Sequence, residues 1–73
     1  MGRNYTGGLT KAEVEVLRLL SQGKNYSQLA GIYETTIGVM NRRLLKIYHK
    51  LGTETKVEAL IEAGRRGIVS MAD

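Results

Sequence analysis

Cysteine is absent from these 73 residues, as are proline, phenylalanine and tryptophan. Without cysteine there is neither a disulfide framework nor a thiolate metal site. The single histidine, His49, has no second histidine or cysteine with which to share a metal ion. A cysteine-free chain is compatible with a reducing compartment. No apolar run approaches the ~20 residues that a membrane span needs, and no hydrophobic leader follows Met1. The expectation is a soluble, intracellular, cytoplasmic chain with no membrane partner. One histidine, no phosphate-binding loop and no paired carboxylates in a credible pocket also argue against an enzyme, and no cofactor or metal is expected. With phenylalanine and tryptophan missing, the core has to be aliphatic with some tyrosine. At this length one small domain is expected, near the lower limit for a core that holds without staples.

What the sequence does have is positive charge gathered in one place. Eleven basic against seven acidic residues give a net charge of +4, which favours polyanionic partners. Glu13 and Glu15 stand in the first third and Glu54, Glu58 and Glu62 in the last. No acid occurs between Glu34 and Glu54, while Arg42, Arg43, Lys46 and Lys50 all fall there. A merely basic globular surface would give the same net charge, so its distribution carries more weight than its total.

Capping signals and helical periodicity predict an all-α domain of four helices, at about 10–22, 26–33, 37–51 and 56–66. Thr10 with Glu13 forms a capping box, and Leu9 stands where a hydrophobic staple to Val14 would begin. Ala12, Val16, Leu17 and Leu20 then recur at helical spacing as far as Gly23. Asn25 with Gln28 caps a short second helix whose apolar residues are Leu29, Ala30, Ile32 and Tyr33. Thr36 or Thr35 caps the third, which Gly52 ends, and Thr55 with Glu58 forms another capping box before the fourth. Residues 1–8 read as a flexible N-terminal arm, whose Arg3 could touch phosphate. The domain itself is expected at 9–69, with 70–73 as a C-terminal tail.

On a helical wheel at about 100° per residue, Met40, Leu44, Ile47, Tyr48 and Leu51 gather on one side of the third helix, with Ile37 at the edge of that group. Gly38, Val39, Arg42, Lys46, His49 and Lys50 occupy the opposite side. Asn41 and Arg43 flank the apolar stripe. A short helix, a tight turn and a two-faced second helix make the helix-turn-helix pattern, in which the second helix enters the DNA major groove. Arg42 can bond guanine and Asn41 adenine, and Leu45 between them can meet a thymine methyl. Thr36, Gly38, Lys46, His49 and Lys50 suit phosphates. The alternative for this stretch is an ordinary solvated charged face. Tyr33 and Tyr48 read as core residues whose hydroxyls reach the rim. Tyr26 reads as a phosphate contact or an exposed tyrosine, and Met40 as core filler.

These residues resemble the LuxR/GerE-type helix-turn-helix domain of bacterial transcription regulators, from about Leu9 to Val69. Leu9-Thr10, Glu13 and Glu15-Val16-Leu17 with Leu19-Leu20 look like the family's opening segment, and Gly23 falls at its glycine. Leu29-Ala30 stands for its I-A, and Ile47 with Lys50-Leu51-Gly52 matches its I-x-x-K-L-G. Thr55, Lys56, Glu58 and Ala59 resemble its S-R-x-[QE]-A, and Gly67-Ile68-Val69 its G-L-V. The departures gather at the turn into the recognition helix, where Val39 replaces the family's phosphate-binding Thr and Asn41 its usual base-contacting Lys. The resemblance implies a sequence-specific regulator that binds double-stranded DNA and dimerises through its last helix. On that helix's wheel Ala59, Leu60 and Ala63 face the core and leave Val57, Ile61 and Gly64 as an exposed apolar strip, the expected interface of a weak homodimer. The same strip reads alternatively as the wide side of a short helix's core face. A competing function is a helix-turn-helix-like module that pairs with another transcription regulator and antagonises or modulates it.

Overall fold

The computed structural model describes residues 8–70, so residues 1–7 of the expected arm, Arg3 among them, and the last three residues fall outside that range. Four helices follow in order: α1 (Lys11–Ser21), α2 (Tyr26–Ile32), α3 (Ile37–Lys50) and α4 (Lys56–Arg65). There is no strand among the described residues, so the fold is the all-α domain that the periodicity predicts, with each helix within one residue of its expected ends. Within those residues no helix is long and apolar enough to cross a membrane.

Each helix begins on a side-chain oxygen and ends in the same left-handed turn. Thr10, Asn25, Thr36 and Thr55 accept hydrogen bonds from the third amide of their helices, which satisfies backbone donors that lack an intrahelical partner. The reciprocal half of the capping box is present in α1 and α2, through Glu13 and Gln28. It is not made in α4. There Glu58 Oε1 accepts from the amide of Glu54, 3.1 Å away and one residue before the cap, so the expected third capping box is only half formed.

At the other ends, the amide after the turn reaches back five residues, as in Thr53 N to Tyr48 O at 2.9 Å. The turning residue needs a positive φ, which Gly52 takes at +74° without a side-chain penalty. α2 closes with the same bonds, Thr35 N to Ala30 O at 2.8 Å and Glu34 N to Gly31 O at 3.2 Å. Its turning residue is Glu34, the one non-glycine residue with positive φ among those described, at +54°. A Cβ in that conformation costs about 1–2 kcal/mol, part of which glycine gives back as unfolded-chain entropy. Glu34→Gly is therefore expected to stabilise the domain by about 0.5–1 kcal/mol. A rise of several degrees in Tm is the readout; an unchanged or lower Tm would mean that Glu34 is held by more than its backbone.

The core is aliphatic, as the composition requires. Leu17, Leu29, Met40, Leu44, Ala59 and Ala63 are fully enclosed, and Ile47, Tyr48 and Leu51 complete the inner side of α3. α2 packs against α3, while α1 meets α2 and α4. Leu9 is buried and Val14 packs on the same core, as a staple would have it. Three residues assigned to apolar faces lie outside instead. Ala12 is exposed, about 40° outside the arc set by Val16, Leu17 and Leu20. Ile32 is 50% exposed, because Leu29, Ala30 and Tyr33 span an arc that it misses by about 60°. Ile37 is 52% exposed: it lies within the apolar arc, but it is the first residue of α3. Cα–Cβ bonds tilt toward the helix N-terminus, which carries its side chain past the packed turns.

Two polar ties join elements distant in sequence. Tyr26 and Tyr48 share a hydroxyl–hydroxyl hydrogen bond of 2.6 Å, so Tyr26, half-buried rather than exposed, is the partner of a buried phenol. Burial first, and then this bond, raise the Tyr48 pKa. At the far end Glu62 binds Arg65 at 2.7 Å and Arg66 at 2.6 Å, and Arg66 reaches the carbonyl of Leu51 at 3.4 Å, linking α4 to the end of α3.

Hydrogen bonds from Arg65 and then Arg66 hold the Glu62 carboxyl down to about 2, against an ordinary value of 4.5. A depressed carboxyl contributes stability that is fully present above its unfolded value and is lost as pH falls through the folded one. Tm should therefore drop between pH 4.5 and pH 2 more steeply in the native chain than in Glu62→Gln. Parallel curves for the two would show that the ion pairs add nothing to folding.

Candidate nucleic-acid interface

α3 presents its outer side to solvent along its whole length. Asn41, Arg42 and Leu45, the expected base-contacting residues, are all exposed, and Leu45 keeps 51% of its surface. They share this side because positions 41, 42 and 45 fall within about 100° of one another on the wheel, away from Met40, Leu44 and Ile47. Arg42, Arg43 and Lys46 are exposed, with no hydrogen bond or ion pair among the described residues. Three cations, at positions 42, 43 and 46, therefore stand unneutralised on one helix.

The five expected phosphate contacts divide into two groups. Thr36, Gly38, Lys46 and His49 are exposed. The Thr36 hydroxyl is already engaged as the cap, accepting from Val39 N at 3.1 Å. A Cβ on Gly38 would meet only Thr36 Oγ1, at 3.9 Å, so close packing does not demand glycine there. Lys46, His49 and Lys50 rim a single shallow depression, which brings three of the sequence candidates together.

Lys50 differs from the others. Its ammonium donates to Glu13 Oε1 at 2.8 Å and to the Gly8 carbonyl at 3.4 Å, and its side chain is only 29% exposed. The same Glu13 oxygen accepts from the amide of Thr10 at 2.9 Å, so one carboxylate both caps α1 and ties it to the end of α3. Burial pushes the Glu13 pKa up, but Lys50 and Thr10 outweigh it and the net shift is downward. This pairing was not anticipated from sequence. One signal was available, since Glu13 falls on the same arc as Val16, Leu17 and Leu20 and so needed a partner.

Tyr33, the α2 C-cap, lies between Glu15 and Arg43. Burial, then the Glu15 carboxylate, raise its phenol pKa, and Arg43 opposes them. No acceptor meets its hydroxyl in good hydrogen-bond geometry, but the Glu15 carboxylate is close enough to draw its proton and favour the protonated phenol. The hydroxyl does not reach the rim as the sequence suggested, because the ring lies inward between α1 and α3.

On α4, Val57 and Ile61 are 65% and 61% exposed, and Gly64 is partly covered. Ala59 and Ala63 are fully buried and Leu60 packs on the core. The strip read from the wheel is therefore on the surface.

Over 61 residues, 84% of its length, the chain is 34% identical to "Putative HTH-type transcriptional regulator Rv0890c" of Mycobacterium tuberculosis and to "Putative HTH-type transcriptional regulator Mb0914c" of Mycobacterium bovis. The chain spans only 7% of the length of these relatives. No protein-family model and no solved structure matches it. A short helix, a four-residue turn and a longer helix with an exposed basic face stand in a chain distantly similar to such regulators. This is a small four-helix domain with distant similarity, over most of its length, to helix-turn-helix transcriptional regulators.

Proposed function

We propose that the chain is a sequence-specific, double-stranded DNA-binding transcription regulator of the LuxR/GerE type, with α3 in the major groove. The observation that carries this reading is the outer face of α3. There Arg42 and Lys46 stand exposed and unpaired beside Asn41 and Leu45, with Arg43, also unpaired, on the flank toward α1. An ordinary solvated face tends to interleave charges of both signs, whereas α3 contains no acid at all. In this reading Arg42 reads guanine, Asn41 adenine and Leu45 a thymine methyl. Lys46, His49, the Thr36 hydroxyl and the amide of Gly38 hold phosphates. Lys50 contributes its field while serving mainly as the tie to Glu13. A cytoplasmic location follows from that role.

The exposed Val57 and Ile61 support a weak homodimer through α4, with Gly64 allowing close approach. Two half-sites would double the phosphate contacts. The same apolar strip also favours a second reading, in which α4 pairs with another regulator and blocks it. Titration against random duplex DNA at several salt concentrations separates the two. A DNA-binding domain loses affinity linearly in log–log form, with a slope of about −0.9 per phosphate contact. No detectable binding at low salt would sink the DNA reading and leave the pairing module.

A further inference from the structure

Between the first turns of α1 and the middle of α3 lies a groove of about 390 Å³. Its walls are apolar where Ala12, Val16 and Ile47 contribute, and Arg43 and Lys46 stand at its edge. Glu13 also borders it, but its charge is already spent on Lys50. Neither Arg43 nor Lys46 has a protein acceptor among the described residues, and the side chain of Tyr33 forms part of the same wall. Unpaired donors beside an apolar surface are complementary to a ligand with a hydrophobic body and a negative end.

We propose that this groove binds a small amphipathic carboxylate, its apolar body against Ala12, Val16 and Ile47 and its carboxylate on Arg43 and Lys46. Of the two cations that would hold the carboxylate, Lys46 is a phosphate contact in the proposed function. Occupancy therefore neutralises charge that a phosphate would use, and the ligand and the duplex compete. The site itself stands without the DNA reading; the competition rests on it.

The test is titration of the full chain with 2-naphthoate, followed through backbone amide shifts by two-dimensional NMR. Saturable shifts centred on residues 12, 16, 33, 43, 46 and 47 are expected, with a dissociation constant of about 1 mM or tighter, as befits so small a ligand. The uncharged 2-naphthamide should bind at least about tenfold more weakly, since it lacks the charge for the two cations. Ala12→Trp, which fills the groove from an exposed helical position, should weaken naphthoate by a similar factor. Absence of saturable shifts at these residues, or equal binding of naphthoate and naphthamide, would overturn the site. The naphthamide comparison decides even if Ala12→Trp proves poorly folded. Saturating naphthoate should also lower duplex affinity in the native chain and not in Ala12→Trp. Undiminished duplex affinity with the groove occupied would overturn the competition. A chain that bound naphthoate but no duplex would refute the DNA reading and leave the groove standing.

Discussion

Replacing Arg42 and Lys46 together with alanine should lower affinity for duplex DNA by about ten- to a hundredfold near 0.1 M salt. A bidentate arginine–guanine contact is worth about 1–3 kcal/mol, and one tenfold change corresponds to ~1.4 kcal/mol. Lys46 adds a phosphate contact whose loss should reduce the salt slope by about 0.9. Both side chains are exposed and unpaired, and alanine is the better helix former. The circular dichroism spectrum and Tm should therefore stay as they are or improve slightly, which separates lost binding from lost folding. The single variants should differ in kind. Arg42→Ala relaxes preference at one base pair, whereas Lys46→Ala weakens all sequences alike. Fluorescence anisotropy with a labelled duplex at three salt concentrations measures all of this. An unchanged slope in the double variant would remove α3 from the DNA.

Leu44→Ala should nearly abolish the folded state. Leu44 has no exposed surface, and emptying such a site costs about 2–5 kcal/mol. A single core in a chain this small supplies little more than ~3–5 kcal/mol of net stability. Each kcal/mol shifts Tm by roughly 4–8 °C in a domain of this size, so thermal denaturation should begin tens of degrees lower. One position further on, Leu45 keeps half its surface in solvent, and Leu45→Ala should leave Tm nearly unchanged. The pair tests the division of α3 into an inner and an outer face. Comparable losses of stability in both variants would mean that the helix is turned differently from its described orientation.

Most of this division was legible from spacing. Met40, Leu44, Ile47, Tyr48 and Leu51 recur with the helical period, and all are buried. Thr10, Asn25, Thr36 and Thr55 announced the helix starts, because a short polar side chain can satisfy a free amide locally. Gly23, Gly52 and Gly67 announced three of the four ends. The fourth fell on Glu34, a residue with no intrinsic preference for its left-handed conformation, so the Glu34-Thr35 connection before the next cap, and not a glycine, marked that turn. Ala12 and Ile32 were misassigned although the wheel sets them about 40° and 60° outside their apolar arcs, whereas Ile37, inside its arc, was misassigned for another reason. A wheel gives direction around a helix, but it does not say where along the helix a neighbour is available to cover a side chain.

By itself, then, the sequence determined the four helices, their limits and the basic outer face of α3, since these depend on interactions within a few residues along the chain. It also determined the exposed strip on α4. Only the tertiary structure decided which charges remain free. It paired Lys50 with Glu13, 37 residues away, and left Arg42, Arg43 and Lys46 without partners among the described residues. It likewise joined Tyr26 to Tyr48 and set Tyr33 at the wall of a groove between α1 and α3. Helix–helix contacts bring together side chains whose separation in sequence carries no periodic signal, so packing, and not pattern, selected the cations left for a ligand.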